Sequence, residues 1–418
     1  MKTILNKIKN KFFPFYKSRP ILEILGPLIQ TKKTTSNEES LRFVGGCVRK
    51  FLEGKEIDDI DVATIYKPEE IIEIFKDTDV KVIPTGLSHG SLTLIKDKTK
   101  IEITTLRLDK STDGRHAEIE HTNNWYEDSR RRDFTINSIY LSLNGSIFDP
   151  HQGLQDLKNS KIKFIGKPEE RIEEDYLRII RYLRFATEYN FNLSDCDFLN
   201  VLKVKLNGLN QISRERIFVE LNKMIQLDQF INKLKTDKKF QEIFCVIFPE
   251  FKNIEKLDLL KEFDNELDLS LSKENLLYIL LYDGKDNVQY FCHKYKVSNK
   301  LQDYFNNLNL NINNVDKKFF DFSIKKNIYH LGKELLINLL ICSFFIKNNF
   351  NKKNAKKYLH NITSMKTPIF PYDGKYLKSL GYEQGKQIGS KLKELEEIWL
   401  ENNFVIPKDK LNKILNLK

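Results

Sequence analysis

Asp59 and Asp61 are separated by one residue and follow the pair Gly45-Gly46 by thirteen positions. The segment Ile60 to Ile65 is apolar and β-branched, which predicts a short strand. Side chains alternate along a strand, so the two aspartates emerge on one side while Ile60 and Val62 point into a core. Two carboxylates a few ångströms apart repel unless a cation joins them, and hard oxygen donors suit Mg²⁺. The Gly-Gly turn opens toward a helix carrying Arg49, and it offers bare N–H groups and a guanidinium to a polyphosphate. Metal beside triphosphate is the chemistry of nucleotidyl transfer. A solvated strand edge has the same Asp-x-Asp pattern, so the pair alone decides nothing.

Three further groups bear on that choice. In Lys100 to Arg107, Glu102 lies on the face opposite Ile101 and Ile103. If this strand is next to the aspartate strand, Glu102 becomes a third carboxylate, able to orient a metal or help deprotonate an attacking hydroxyl. An exposed sheet-face glutamate is the plainer alternative. The run Arg130-Arg-Arg-Asp133 fits anion recognition with a carboxylate for a ribose hydroxyl, anchored by Phe134 and Ile136; a basic helix cap would look the same. Along Pro168 to Ala186, Ile172, Tyr176, Ile179, Leu183 and Ala186 make one apolar stripe at helical spacing, with Arg171, Glu174, Arg178 and Arg181 opposite. This arrangement is either a solvated face with a Glu174–Arg178 pair or a reading head. In the second case Asp175 accepts, and Arg178 donates, to the edge of a nucleobase.

These groups need a mixed front and a helical back to position them. Residues 40–150 alternate short β-branched runs with helices: strands at Leu41–Val44, Val80–Pro84, Ser91–Ile95 and Lys100–Leu106, with a hairpin signal at Lys96 to Thr99. Helices are expected near Cys47–Glu53 and from Pro68 to Lys76. Beyond about residue 165 the spacing is helical throughout. The expected division is a basic N-terminal extension (1–39), a catalytic head (40–150), a neck carrying the candidate reading helix (151–225), and a helical body and tail (226–418).

At 418 residues the chain is long enough for two or three domains, and its net charge of +11 suits a polyanionic partner. Five scattered cysteines without a CxxC pair argue for a reducing cytoplasm and against disulfides or structural zinc. The apolar run Leu335–Ile346 is too short to cross a bilayer and reads as a buried helix, so no membrane partner is expected. The basic segment Met1–Lys17 lacks the continuous apolar core of a signal peptide, though it is compatible with a transit peptide.

Phe43-Val-Gly-Gly-Cys-Val-Arg49, Asp59-Ile-Asp61, Arg131-Arg-Asp-Phe-Thr-Ile-Asn137, Phe148 to Leu157, Glu174-Asp-Tyr-Leu-Arg178 and Ile212-Ser-Arg-Glu-Arg-Ile217 occur in one order. Together they resemble class II tRNA nucleotidyltransferases, the CCA-adding enzymes and their bacterial poly(A) polymerase relatives. The resemblance is strong over residues 40–225 and weaker beyond, where Leu380 to Gly389 resembles the tail of short bacterial members. It implies an α+β fold: a small DNA polymerase β-like nucleotidyltransferase α/β head followed by an all-α neck, body and tail. It also implies addition of CCA to tRNA from CTP and ATP without a template, and contact with the acceptor and T arms. By the same resemblance Asp59 and Asp61 hold Mg²⁺, and Gly45, Gly46 and Arg49 belong to the triphosphate site. Arg132 and Asp133 read the ribose, Asp175 and Arg178 pair with the base, and Arg181 and Arg184 support them. Ser213 to Ile217 resembles the helix start that braces the reading helix. By helical phase Arg184 points away from Asp175.

Lys50 departs from the family pattern, which usually has an acid or amide there. Cys47 stands where poly(A) polymerases carry a basic residue, which favours a tRNA enzyme. The polar loop Thr112-Asp-Gly-Arg-His-Ala117 resembles one associated with the switch from C to A addition and favours the full CCA product. The competing readings are a poly(A) polymerase, a CC-adding enzyme and, from another class, an inactive RNA-binding relative.

Overall fold

In a computed structural model of the chain, the described residues are 14–31, 39–112, 117–267, 269–316, 318–321, 323–382 and 385–415. Two compact units divide it, Met1–Ile247 and Phe248–Lys418.

The first unit is built on a seven-stranded mixed sheet. Its strands are β1 (Leu41–Val44), β2 (Asp61–Thr64), β3 (Lys81–Gly86), β4 (Ser91–Lys96), β5 (Thr99–Thr105), β8 (Tyr140–Leu141) and β9 (Ile147–Phe148), in the order β3-β4-β5-β2-β1-β8-β9. A separate ribbon pairs β6 (Arg107–Thr112) with β7 (Ala117–His121). The expected hairpin forms: Lys96 pairs with Thr99, and Asp97 takes the positive φ of 53° that so tight a reversal requires. Alternation then sorts the sheet's two faces. Phe43, Val62, Leu92, Leu94, Ile101 and Ile103 point to one side and form the larger core. Three helices supply the rest of that core, α1 (Arg19–Gln30), α2 (Gly46–Glu53) and α3 (Pro68–Phe75). Val44 and Ala63 point the other way, into a smaller cluster with Leu106, Trp125 and Tyr140. Asp61 and Glu102 share the strand parity of this second face.

Two features differ from the sequence expectation. Helix α1 lies within the stretch assigned to an N-terminal extension, yet Ile21, Ile24, Leu25 and Leu28 are fully shielded in the head's core. The stretch from Pro168 to Ala186 is not one helix. It breaks at Asp175 (φ −153°, ψ 103°) into α5 (Pro168–Glu174) and α6 (Leu177–Glu188), with α4 (Trp125–Arg130) earlier and α7 (Arg214–Ile225) later in the chain. The break resets the helical phase. Arg171, expected on the polar side, is buried and donates to the carbonyls of Arg131 and Arg132, 2.7 Å each. Tyr176 leaves the buried stripe and lies on Gly208, where a Cβ would come within 2.0 Å of the ring.

The second unit is helical in every regular element described. Its longest helix, Ile324–Ile346, has the length and apolar composition to cross a membrane. Gly332 (φ 77°, ψ 161°) kinks it, and Leu336, Leu339, Leu340, Phe344 and Phe345 beyond the kink are core residues. A small terminal cluster gathers Leu377, Ile388, Leu395, Ile414 and Leu415.

Candidate active site

The carboxylates converge at one corner of the head. Strands β2 and β5 run parallel with Asp61 directly opposite Glu102, so the third carboxylate lies where strand adjacency requires. Asp59 is exposed in the loop just ahead of β2, which begins at Asp61. Gly45 adopts φ 75°, ψ −133° at the entrance to α2, and a Cβ there would come 3.4 Å from Asp61 Oδ2. The positive φ favours glycine there, and the 3.4 Å approach sets the first turn of α2 in van der Waals contact with the carboxylate. Burial raises the Asp61 carboxyl to about 6, and Glu102 and Asp59 add to the rise; Arg132 and Lys223 oppose it. Among the described residues no hydrogen bond or ion pair reaches the side chains of Asp59, Asp61 or Glu102. Cys47, next along α2, is buried with its thiol toward the carbonyls of Val44 (3.2 Å) and Asp61 (3.5 Å).

The arginines form a different kind of structure. Arg181 donates to Asp133 (2.7 Å) and Glu220 (3.2 Å), and Arg184 donates to the other oxygen of Glu220 (2.7 Å) and pairs with Glu188 at 3.5 Å. Glu188 faces Arg49 at 3.8 Å; Arg49 donates to Asn137, and Asn137 donates to Asp133 at 2.9 Å. The circuit closes on itself. Arg49, Arg181 and Arg184 also stand over the ring of Phe185 at 4.8, 5.9 and 4.0 Å from its centroid. Burial alone would raise the Asp133 carboxyl, but Arg181, Asn137 and the Phe134 N–H hold it well below the carboxylate range. Burial likewise opposes ionisation of Glu220, and Arg184, Arg181 and Lys223 lower it nonetheless.

Arg132 and Asp133, adjacent in sequence, diverge. Arg132 donates to the Tyr140 hydroxyl (3.0 Å) and Asp128 (3.2 Å) on the Asp61 side, while Asp133 belongs to the ring. At the break between α5 and α6, Asp175 accepts from the Leu177 N–H (3.1 Å) and from Arg216 (2.8 Å). Arg178 donates to Glu174 and to the Arg171 carbonyl, 2.7 Å each, and to the Arg131 carbonyl at 3.3 Å. The Glu174–Arg178 pair is thus formed, and Asp175 is turned toward α7.

Metal fit can be judged from the donors. Among the described residues no three His, Cys, Asp or Glu side chains form a ready-made cage. Mg²⁺ rarely needs one; it commonly uses one or two carboxylates and completes its shell with water and substrate phosphate. Asp59 and Asp61, unneutralised and beside a glycine turn, meet that requirement.

Sequence reasoning missed Asn137, Glu188, Glu220 and Lys223. Glu220 had a readable signal: it falls among the buried Ile217, Leu221 and Met224 of α7, where an acid needs a cationic partner. Lys223 is half exposed, 3.5 Å from Glu220, and with Arg132 supplies the positive potential at Asp61. The loop centre Asp113 to His116 lies outside the described residues. In the second unit Gly385 immediately precedes the helix Lys386–Glu401, and Gly381 has φ 89°.

The Poly A polymerase head domain family matches residues 41–163. The chain is 33% identical over 389 residues to the mitochondrial CCA tRNA nucleotidyltransferase 1 of Danio rerio, covering 90% of this chain and 86% of that one. It is 29% identical over 400 residues to the CCA-adding enzyme of Lactococcus lactis subsp. cremoris, covering 93% of each. Its fold matches that of the Bacillus stearothermophilus CCA-adding enzyme, solved in complex with CTP, with a TM-score of 0.69 at 22% identity over 96% of this chain and 97% of the other.

Proposed function

The chain belongs to the CCA-adding tRNA nucleotidyltransferase family, and from that premise we propose that it builds the CCA end of tRNA. CTP and ATP are its substrates, no nucleic-acid template is used, and pyrophosphate leaves at each step. The observation that carries this reading is the open carboxylate corner. Asp61 and Glu102 are locked in register, Asp59 stands beside them, and Gly45 brings the first turn of α2 into contact with Asp61.

We assign Mg²⁺ to Asp59 and Asp61, where bound metal would supply Lewis-acid stabilisation of the charge developing at phosphorus. In this reading Gly45 and Gly46 present backbone N–H groups to the triphosphate, and Arg132 and Lys223, which already act on Asp61, supply positive potential. The 3′-oxygen of tRNA attacks the α-phosphorus, the bond to pyrophosphate breaks, and in this proposal Glu102, opposite Asp61 in the strand pair, takes the hydroxyl proton. Asp175 and Arg178 read the base in this proposal, exchanging Arg216 and Glu174 for its hydrogen-bonding edge. Arg49, Arg181 and Arg184 act through the ring, holding Asp133 for the ribose.

A basic helical second unit suits the acceptor and T arms, recognised as A-form geometry through phosphates and 2′-hydroxyls. Five free thiols suit a reducing compartment, and we place the enzyme in the cytoplasm. Incubating the protein with tRNA ending at the discriminator base, Mg²⁺ and labelled CTP and ATP tests the proposal. Three additions in the order C, C, A are expected, and they vanish in Asp59→Ala. Long adenosine tracts on arbitrary RNA would select poly(A) polymerase instead, arrest after two cytidines a CC-adding enzyme, and no incorporation an inactive RNA-binding relative.

A further inference from the structure

Lys50, in the last turn of α2, has a partner in the structure. Helix α2 ends at Gly54, whose φ of 72° turns the chain back; the Lys55 N–H then closes on the Lys50 carbonyl at 2.8 Å. From there a short loop runs to β2, anchored by the half-buried Ile57 and Ile60 and by the Glu102 N–H on the Ile60 carbonyl at 2.9 Å. Between those anchors the Lys50 ammonium forms a close ion pair with Asp58 Oδ1. That same oxygen accepts the Asp59 N–H at 3.0 Å. Asp58 would otherwise be a third aspartate beside the Asp59–Asp61 pair, exposed and unneutralised.

We propose that Lys50 is a positioning residue that holds Asp58 out of the metal corner and fixes the backbone of Asp59. The inference rests on the reading of Asp59 and Asp61 as the metal pair. Its physical basis is a competition between neighbours. A released Asp58 carboxylate can join the cation that Asp59 should hold, and it gives up its grip on the Asp59 N–H. Losing one positive charge and freeing one negative charge both favour cation binding, while the geometry for transfer deteriorates.

The two consequences have opposite signs, which a general structural lesion does not produce. Lys50→Met is expected to lower kcat about tenfold with KM for CTP little changed. Calorimetric titration with Mn²⁺ alone, without nucleotide or tRNA, is expected to show about three- to tenfold tighter binding. Because Asp58 is exposed and Lys50 partly so, the melting temperature should shift by only about two degrees. Asp58→Asn keeps an oxygen for the Asp59 N–H and should retain wild-type kcat within about threefold. In that background Lys50→Met should do little more, since the carboxylate it restrains is gone. The inference is overturned if Lys50→Met leaves kcat and Mn²⁺ binding unchanged, weakens Mn²⁺ binding, or costs as much in the Asp58→Asn background. Full activity in Asp59→Ala would instead remove the metal reading itself, so the two failures are distinguishable.

Discussion

Asp61 is a half-buried and Glu220 a buried carboxylate of the first unit, and their surroundings treat them oppositely. Asp61 is pushed up to about 6 by burial and by two neighbouring acids, and no side chain bonds to it among the described residues. Glu220 is only 3% exposed, yet Arg181 and Arg184 bond to both its oxygens and hold it ionised. Unpaired buried charge is costly, so a fold keeps it only where something arrives to neutralise it. The ring around Glu220 balances its own charges and needs nothing from outside. In the reading proposed above, Asp61 is the acid left open for a cation, whereas Glu220 is the acid that holds its neighbours still.

The strongest way to break this division is Asp61→Asn. It removes a repelled carboxylate, so the melting temperature should stay level or rise. Incorporation of CTP should fall on the order of a thousandfold, because charge stabilisation at the reacting phosphorus is lost. Single-turnover kinetics beside a melting curve checks both. Loss of stability together with activity would place Asp61 in the frame instead.

Glu220→Gln should give the reverse pattern. Two guanidiniums lose their counter-charge in a buried site, costing about 3 kcal/mol of unfolding free energy. Denaturant titration reads that loss. Transfer at saturating nucleotide should suffer less than KM, since the ring bonds to α6, the helix proposed to read the base, while Asp61 keeps its register with Glu102.

How far the sequence reveals this division depends on the kind of signal. Strand alternation and the β-branched runs place Asp61 and Glu102 on one face, and the observed register agrees. Helix α1 carries a comparable signal, Ile21, Ile24, Leu25 and Leu28 at helical spacing behind Pro20, which the assignment of residues 1–39 to an extension overlooks. The break at Asp175 was not. Apolar periodicity runs straight through it, and tertiary partners create it: Arg216 on the carboxylate and Gly208 under Tyr176. Arg49 shows the same limit, because its motif points to the triphosphate while packing turns its guanidinium to Asn137 and Glu188. Spacing reports which face a residue occupies, whereas its partner comes from elements distant in the chain.

Acid titration probes the balanced charges from another side. Asp128 is fully buried, and despite that burial Arg131, Arg132 and the Tyr140 hydroxyl hold its carboxyl at about 2. The folded value is depressed, so the stabilisation is present above the unfolded value near 3.8 and is lost as pH falls from there toward 2. At full development that depression is worth on the order of 2 kcal/mol. Urea midpoints at pH 6 and pH 3 should separate for the wild type, and the gap should narrow in Asp128→Asn. An unchanged gap would mean that other carboxylates dominate the acid response.

The finest test lies inside the arginine set, where charge is constant and only geometry changes. Arg178 is at the helix break with hydrogen bonds to Glu174 and two main-chain carbonyls, and its assigned task is to meet a base with a planar fork. Arg184 is in the ring, between Glu220 and Glu188, where a point charge meets much of the requirement. Lysine keeps the charge of either but not the fork. Arg178→Lys should therefore reduce preference for CTP and ATP over UTP and GTP about tenfold, near the lower end of what one bidentate contact contributes. Arg184→Lys should raise KM about threefold or less and leave preference intact, since loss of its second donor weakens the frame without touching the base. Competition assays with mixed nucleotides read both variants. Equal loss of preference in the two would show that the frame and the reading pair act as one unit, and the boundary between acting and holding residues would then have to be drawn outside the ring.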